Sequence, residues 1–395
     1  MTAIMDLAGL DDGRVALSAD QLDALDARLD GALVRPGDEG WGAAVLIWNG
    51  MVATTPALVV QPASVRDVAA TVAFARDHGL LLGVKGGGHN IAGTAIAEQG
   101  LTLDMARLRD VTVDAAARVA HVGPGCRLRD VDAATQEHGL ATPLGFISET
   151  GVAGLTLGGG LGYLTRRFGW TVDNLLEAEI VTADGDIRIA NRAENAELFW
   201  ALRGGGGNFG VVTRFTFRLH EVGPAVYGGL IAWPFERAGE ILQAYRSLTD
   251  GAPRELTCFL IMLNAPPAPF VPAEWHGKPL CAMAVCFSGD LSAASEVLAP
   301  IRAIGGPVVD LLSECPIRDG QVGFLHLGGA VADRAADDGA VGNRDARFAL
   351  GINGMWEPSD SDAAAYRQWI REAWERARRF STGGNYINFQ TDDDG

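Results

Sequence analysis

At 395 residues the chain exceeds the size at which one hydrophobic core usually stops growing, so two structural domains and a sizeable buried site are expected. Apolar residues at 48% against 21% charged describe a globular protein and exclude a disordered or fibrous one. The 32 basic and 49 acidic residues leave a net charge of −17, which repels a polyphosphate backbone and excludes nucleic acid as an expected partner.

In chain order, the stretch MTAIMDLAGLDDGR has no basic region ahead of an apolar run, so no secretory signal is read there. Residues 18–30 set Leu22, Leu25 and Leu29 at helical spacing behind a Ser or Asp cap, and residues 1–51 are read as an N-terminal helical segment. LVVQP, SVRDVAATVAFARDHG and LLLGVK then form a β-α-β unit whose helix starts at a serine and stops at a glycine. No apolar run approaches the roughly 20 residues of a membrane helix, and a cytoplasmic protein without membrane contact is expected. A strand LTLD, an alternating pair VTVD and RVAHV, and the helix RLRDVDAATQEHG follow. Residues 143–174 are too rich in glycine for ordinary elements, which means that backbone there must approach something closely. LEAEIVTADGDIRIA reads as a hairpin turning at Asp184-Gly185, and NRAENAELFWALR as a helix leading through GGGGNFG into the strand VVTRFTFRLH.

Composition shifts after Gly223-Pro224, and a domain boundary is placed near residue 222. Beyond it YGGLIAW, LTCFLIML and PLCAMAVCFSG read as strands, with ERAGEILQAYRSL and SAASEVLAPIRAI as the helices between them. A helix with Tyr366, Trp369, Ile370 and Trp374 on one face and a strand NYINFQ end the chain. Cys126, Cys258, Cys281, Cys286 and Cys315 are odd in number and lack metal or disulfide spacing, which reads as reduced, mostly buried thiols and no metal site.

Two glycine motifs compete for a dinucleotide. Gly205 to Gly210 satisfies GxGxxG, but a helix precedes it and a strand follows, the reverse of the order that puts phosphate on a helix N-terminus. A close helix-strand connection is the reading preferred there. KGGGHN is different: Gly86, Gly87 and Gly88 follow a buried strand and can turn successive N–H groups toward one anion such as a pyrophosphate. Taken alone the same run is more often a plain loop, and His89 reads equally as a solvent-facing turn residue.

The order of elements, together with QPASVRDVAATVAFAR, KGGGHNIAGTAI, GVAGLTLGGGLGYLTRRFGWTVDNL, ELFWALRGGGGNFGVVT and GGNYINF, resembles the berberine-bridge-enzyme-like branch of the vanillyl-alcohol-oxidase flavoproteins, from about residue 52 to 395. The resemblance implies an α+β protein: a two-subdomain PCMH-type FAD-binding domain over 52–221 and a substrate domain over 222–380, built on an antiparallel sheet covered by helices. Residues 381–395 would then return to the flavin. It implies FAD bonded through its 8α-methyl to His89, with Lys85, Gly86, Gly87, Gly88 and Asn90 in the first cradle. Gly145, Ser148, Thr150 and Gly151 would form the second wall, continuing to Gly154, Gly158, Gly159 and, from the terminal strand, Asn388. Val84-Lys85 replaces the family's serine or arginine before the glycines. Relatives with a second flavin bond carry a cysteine where this chain has Ile147, so a single attachment is expected, with a less oxidising flavin and a more open cleft. Thr150 falls at the position that in relatives helps govern oxygen access.

Hydride transfer from a carbinol carbon requires a base within reach of the hydroxyl proton. Tyr386 is the first candidate, needing a cationic neighbour or strong hydrogen bond to act near neutrality; packing alone is its other reading. His326 is the second, against the plainer reading of a structural histidine. The expected activity is an oxidase taking a sugar or secondary-metabolite alcohol and molecular oxygen to peroxide, with a dehydrogenase or a non-catalytic flavin binder as alternatives. Relatives continue past the YxNF strand where this chain stops at TDDDG, from which exposed apolar surface and reduced stability are expected. Substrate identity and oligomeric state are not legible.

Overall fold

The computed structural model describes residues 4–11, 13–316, 324–352, 362–381, 383, 384, 386 and 388. Alternation of apolar residues around a tight turn makes the first element a hairpin, Ile4–Ala8 against Arg14–Ser18, with Leu7 and Leu17 fully buried. The helix Ala19–Asp26 follows, capped reciprocally by Ser18 and Gln21. Residues 1–51 are therefore more than a helical segment. Helical spacing of the leucines is real, but IMDLA and RVALS have the period of two that seats one face of a strand on a core. Ala32–Val34 also joins the first sheet of the N-terminal domain beside Leu58–Gln61.

That sheet is completed by Leu101–Asp104 and Leu82–Lys85, both parallel neighbours, with the crossover helix Val65–His78 between Leu58–Gln61 and Leu82–Lys85. Ser64 caps the helix start and Gly79, at φ 63°, ends it. Asp67, buried on this helix, accepts the backbone N–H groups of Asp30, Gly31 and Ala63, which lock the preceding loop to the helix and hold its carboxyl below the usual range against burial.

A second sheet of five strands is antiparallel throughout: Ile187–Asn191, Leu175–Val181, Val211–Arg218, Val119–Val122 and Val111–Asp114 in spatial order. The hairpin at Asp184-Gly185 forms as expected, with Gly185 at φ 87°. Helix Ala196–Leu202 precedes the glycine run and strand Val211–Arg218 follows it, so GGGNFG has the flanks that disqualify a dinucleotide fingerprint. Glycine-rich residues 143–174 do hold ordinary elements, contrary to expectation: VAGLTL forms the short helix Val152–Leu157, and TRRF the turn Thr165–Phe168. Only Gly154 lies inside the first, and one glycine costs a helix about 1 kcal/mol, less than packing by Val152 and Leu157 restores.

A cis Gly223-Pro224 bond leads into a large antiparallel sheet in which Ala225–Pro234, Pro279–Phe287 and Leu256–Asn264 are the long central strands. Phe324–His326 and Phe348–Ala349 extend it on one side, Val309–Asp310 on the other. Its two faces have separate uses. Trp233, Cys258, Leu260 and Met283 pack beneath helices Ala238–Asp250 and Ala294–Arg302 through Ile241, Tyr245, Leu298 and Ile301. Phe259, Ile261, Leu230 and Ala284 face the other way, onto Leu161, Trp170 and Val172 of the N-terminal domain. Cys126, Cys258, Cys281 and Cys286 are free and buried; burial pushes the thiols of Cys126 and Cys258 up to about 12, which leaves them inert.

An ion pair fixes the two domains together. Arg344 donates both guanidinium arms, at 2.8 and 3.0 Å, to Asp173 in the N-terminal domain, and both side chains are buried. Arg344→Leu strands the carboxylate, so unfolding stability should fall by about 3–5 kcal/mol, whereas the double variant Arg344→Leu/Asp173→Leu should recover most of it. Thermal melting of the three proteins measures this.

Helix Ala363–Arg378 forms as expected, but Trp369 is 60% and Trp374 39% exposed, so the aromatic face covers nothing among the described residues. Of the terminal strand NYINFQ only Tyr386 and Asn388 lie within the described residues. Cys315 and Tyr366 have side chains outside them.

Candidate active site

The two glycine stretches meet back to back. A Cβ on Gly87 would stand 2.3 Å from the Gly151 nitrogen, and one on Gly151 2.3 Å from the Gly87 nitrogen, so neither position admits any side chain. Gly86 lies against Pro124 O and Ala153, and Gly88 takes φ 70°. From Gly151 the helix Val152–Leu157 starts, and Gly154 presents open space where a methyl would meet nothing within 4 Å. At the other end of that helix a Cβ on Gly158 would collide with Asn388 Oδ1 at 2.1 Å, while Gly159, at φ 117°, faces Val341 and Tyr386.

Between the stretches, residues 145–150 form a compact turn. Gly145 makes room for Leu155 and Leu128, Ser148 O and Thr150 O accept the N–H groups of Arg129 and Leu128, and Thr150 N donates to Ile147 O. Asn90 is spent locally, its Oδ1 taking both donors of Thr94. Lys85 was expected beside a cofactor, but its ammonium is buried against the carbonyls of Ala43 and Ala44 and pairs with Asp104 at 3.4 Å. It anchors the preceding loop, because a buried cation needs those partners.

His89 stands at the mouth of this cradle, half buried. Among the described residues neither of its ring nitrogens has a hydrogen-bond partner, and its ring stacks on Trp48 with centroids 5.7 Å apart and planes 18° from parallel. Burial first, and the Arg127 guanidinium second, hold its pKa below the ordinary value, so the imidazole keeps a free lone pair at neutral pH. Sequence reasoning passed over Trp48 and Arg127. Nothing in IWNG or CRLR signals that the fold brings them to a histidine some 40 positions away from each.

Tyr386 and Asn388 latch the glycine block from outside. The Tyr386 hydroxyl oxygen accepts Gly160 N–H and Asn388 Nδ2, each at 2.9 Å, and Asn388 Nδ2 also reaches Leu155 O. Burial pushes the phenol up to about 12, against the lowering effect of those donors. Near neutrality Tyr386 is therefore a phenol, because burial outweighs the hydrogen bonds from Asn388 and Gly160. The folded-state value exceeds the free phenol's 10, so the stability it contributes is full below about pH 10 and is lost as pH rises toward 12. Tyr386→Phe should leave two buried donors without an acceptor, lowering stability by about 1–3 kcal/mol in a melt at pH 7, with no change in any activity profile between pH 6 and 9.

His326 does not share this site. Leu325 pairs with Phe259, whose side chain faces the flavin domain; His326, one residue on, takes the opposite face beside Phe348. Burial, with Arg166 and Arg347 nearby, pushes it down to about 3, and its Nδ1 is unpartnered: a neutral core histidine, not a base in the cleft. A separate cleft of about 830 Å³ beside the five-stranded sheet, lined in part by His121, Asp173, Glu177 and Arg218, includes neither His89 nor any glycine of the two stretches.

The chain matches the FAD-binding domain family model over residues 56–191. It is 30% identical to an FAD-linked oxidoreductase of Dictyostelium discoideum, covering 91% of this chain and 86% of the relative. It is 32% identical to the (R)-6-hydroxynicotine oxidase of Paenarthrobacter nicotinovorans, over 85% of this chain and 72% of that one. The chain belongs to the FAD-linked oxidoreductases. A crystal structure of 6-hydroxy-D-nicotine oxidase from Arthrobacter nicotinovorans superposes with a TM-score of 0.77 at 25% identity, over 92% of this chain and 90% of that one.

The residues present fit FAD. This FAD-linked oxidoreductase offers an imidazole with no hydrogen-bond partner among the described residues, two loops in contact at Gly87 and Gly151, and open space before Gly154. Trp170 Nε1 and Thr171 Oγ1 are buried without a partner behind the same block. Facing it, the long strands of the large sheet present Leu230, Ala284, Phe259 and Ile261, and Thr257 on the same face is bonded to Tyr163 O.

Proposed function

We propose that this FAD-linked oxidoreductase is an oxidase that holds its flavin by a single bond from His89 and dehydrogenates the carbinol of a small hydroxylated molecule. The observation that carries the reading is the neutral, unpartnered imidazole beside the paired glycine loops. In forming the bond, an imidazole nitrogen joins the 8α-carbon; one hydrogen leaves from each, and molecular oxygen takes both as hydrogen peroxide. Bound flavin supplies the hydride acceptor and passes electrons to oxygen.

The chain's own residues set the rest. Gly86 to Gly88 and Gly151 bring backbone N–H groups to the pyrophosphate, and Ile147, in place of a thiol, leaves the attachment single. Tyr386, held as a phenol by burial, orients the substrate hydroxyl by a hydrogen bond and is not the base; no side chain is assigned that task. The apolar sheet face favours an aromatic or aliphatic secondary-metabolite alcohol over a sugar, which would leave its many hydroxyls unpaired there. The free, unreactive thiols and the acidic composition suit the cytoplasm.

A screen of alcohols against the flavin-loaded protein tests the assignment. One peroxide per substrate consumed is the expected result; reduced flavin that reoxidises only with a quinone dye would instead make it a dehydrogenase. Flavin that no alcohol or amine bleaches would leave only a binding protein.

A further inference from the structure

The segment just before the first flavin-domain strand runs as a strap along the His89 loop. Trp48 N–H donates to Gly88 O at 2.8 Å, and Asn49 Nδ2 to Ile91 O at 2.7 Å. Lys85 holds the strap's start through the carbonyls of Ala43 and Ala44. Contact is close: a Cβ on Gly88 would lie 3.4 Å from Leu46 O, and one on Gly93 2.4 Å from the Val52 side chain at Cγ1. Asn49 also closes the strap on itself by accepting Met51 N–H.

All this construction serves to hold one ring. Trp48 remains 56% exposed, so it contributes little to the core; its defined neighbour is the His89 imidazole, nearly parallel to it. A stacked indole fixes the imidazole's plane, and with the plane the in-plane direction of both nitrogen lone pairs. Among the described residues no hydrogen bond fixes the imidazole, and the Trp48 stack is its one ring contact. We propose that Trp48 is a positioning residue for flavin attachment, aligning His89 for bond formation with the 8α-carbon. This rests on the covalent reading of His89 above. The same stack shields one imidazole face from water and so favours the neutral ring.

The test is a time course. Protein produced without flavin is mixed with FAD in air and sampled into acid, and the flavin that stays with the precipitate is followed. Trp48→Phe, which keeps a stacking ring, should attach flavin at near the unmutated rate. Trp48→Leu and Trp48→Ala should bind FAD, seen as quenched flavin fluorescence, yet attach it slower by about tenfold or more. If Leu and Ala variants that bind FAD attach it as fast as the unmutated protein, Trp48 has no such role. If Trp48→Ala binds no FAD, Leu against Phe decides, and equal rates overturn the proposal. If the unmutated protein releases all its flavin into acid, as His89→Ala must, the covalent reading itself fails and the proposal with it.

Discussion

His89→Ala should move the entire flavin content of the acid-precipitated protein from a yellow pellet to the supernatant. No intermediate result is expected, since among the described residues His89 is the nucleophile at the mouth of the cradle whose nitrogens lack a protein partner. The variant should nonetheless bind FAD, because the glycine loops that cradle the cofactor are unaltered and removing a half-buried imidazole opens no core cavity. Attachment by the unmutated protein should be insensitive to pH between 7 and 8 and slow in acid. The direction follows from the depressed pKa: the folded ring stays neutral as pH falls through the free histidine's 6.5 and is protonated, losing its lone pair, only below that. A colourless pellet from unmutated protein refutes the assignment, and a yellow one from His89→Ala relocates the bond.

Gly87→Ala should prevent flavin loading altogether. The added methyl would lie 2.3 Å from the Gly151 nitrogen and 2.5 Å from its Cα, and both belong to backbone that no rotamer change can move. Either loop must shift by more than an ångström, at a cost of about 1–3 kcal/mol in overpacking, and the cradle loses its shape in the process. Gly154→Ala is the informative contrast. Its methyl meets nothing within 4 Å in the protein, and alanine is better than glycine in a helix by about 1 kcal/mol, so flavin-free protein should gain stability. Flavin occupancy should nevertheless fall, if the open space before Gly154 is the cofactor's. The ratio of absorbance at the flavin band to that of the protein, with melting of flavin-free samples, separates the two effects; Gly87→Ala loading as fully as the unmutated chain would show that the loops do not need their contact.

How far these sites were legible depends on what kind of interaction makes them. The hairpin at Asp184-Gly185, the Ser64-to-Gly79 helix and the strand after GGGNFG were readable because turn, cap and period are local properties, settled within a few residues of chain. The N-terminal hairpin carried the same kind of signal, an alternation in IMDLA and RVALS, which the leucines of the next helix obscured. His326 could not be judged in this way. Its strand is short, and which face it presents depends on the register Leu325 takes against Phe259, some 66 positions away, where a slip of one residue reverses the outcome.

By itself, then, the amino-acid order determined where glycines leave backbone bare, at Gly86 to Gly88 and at intervals through residues 143–174, and that a histidine follows the first of these. Only tertiary structure decided that Gly87 touches Gly151, that Lys85 is consumed by Ala44 and Asp104, that Tyr386 remains a phenol, and that Trp48 stacks on His89. The division has one cause. Backbone conformation and local pairing are encoded by neighbours in sequence, whereas desolvation, ion pairing and stacking depend on groups that folding brings in from afar: Gly160 lies 226 residues before Tyr386, whose hydroxyl accepts its N–H.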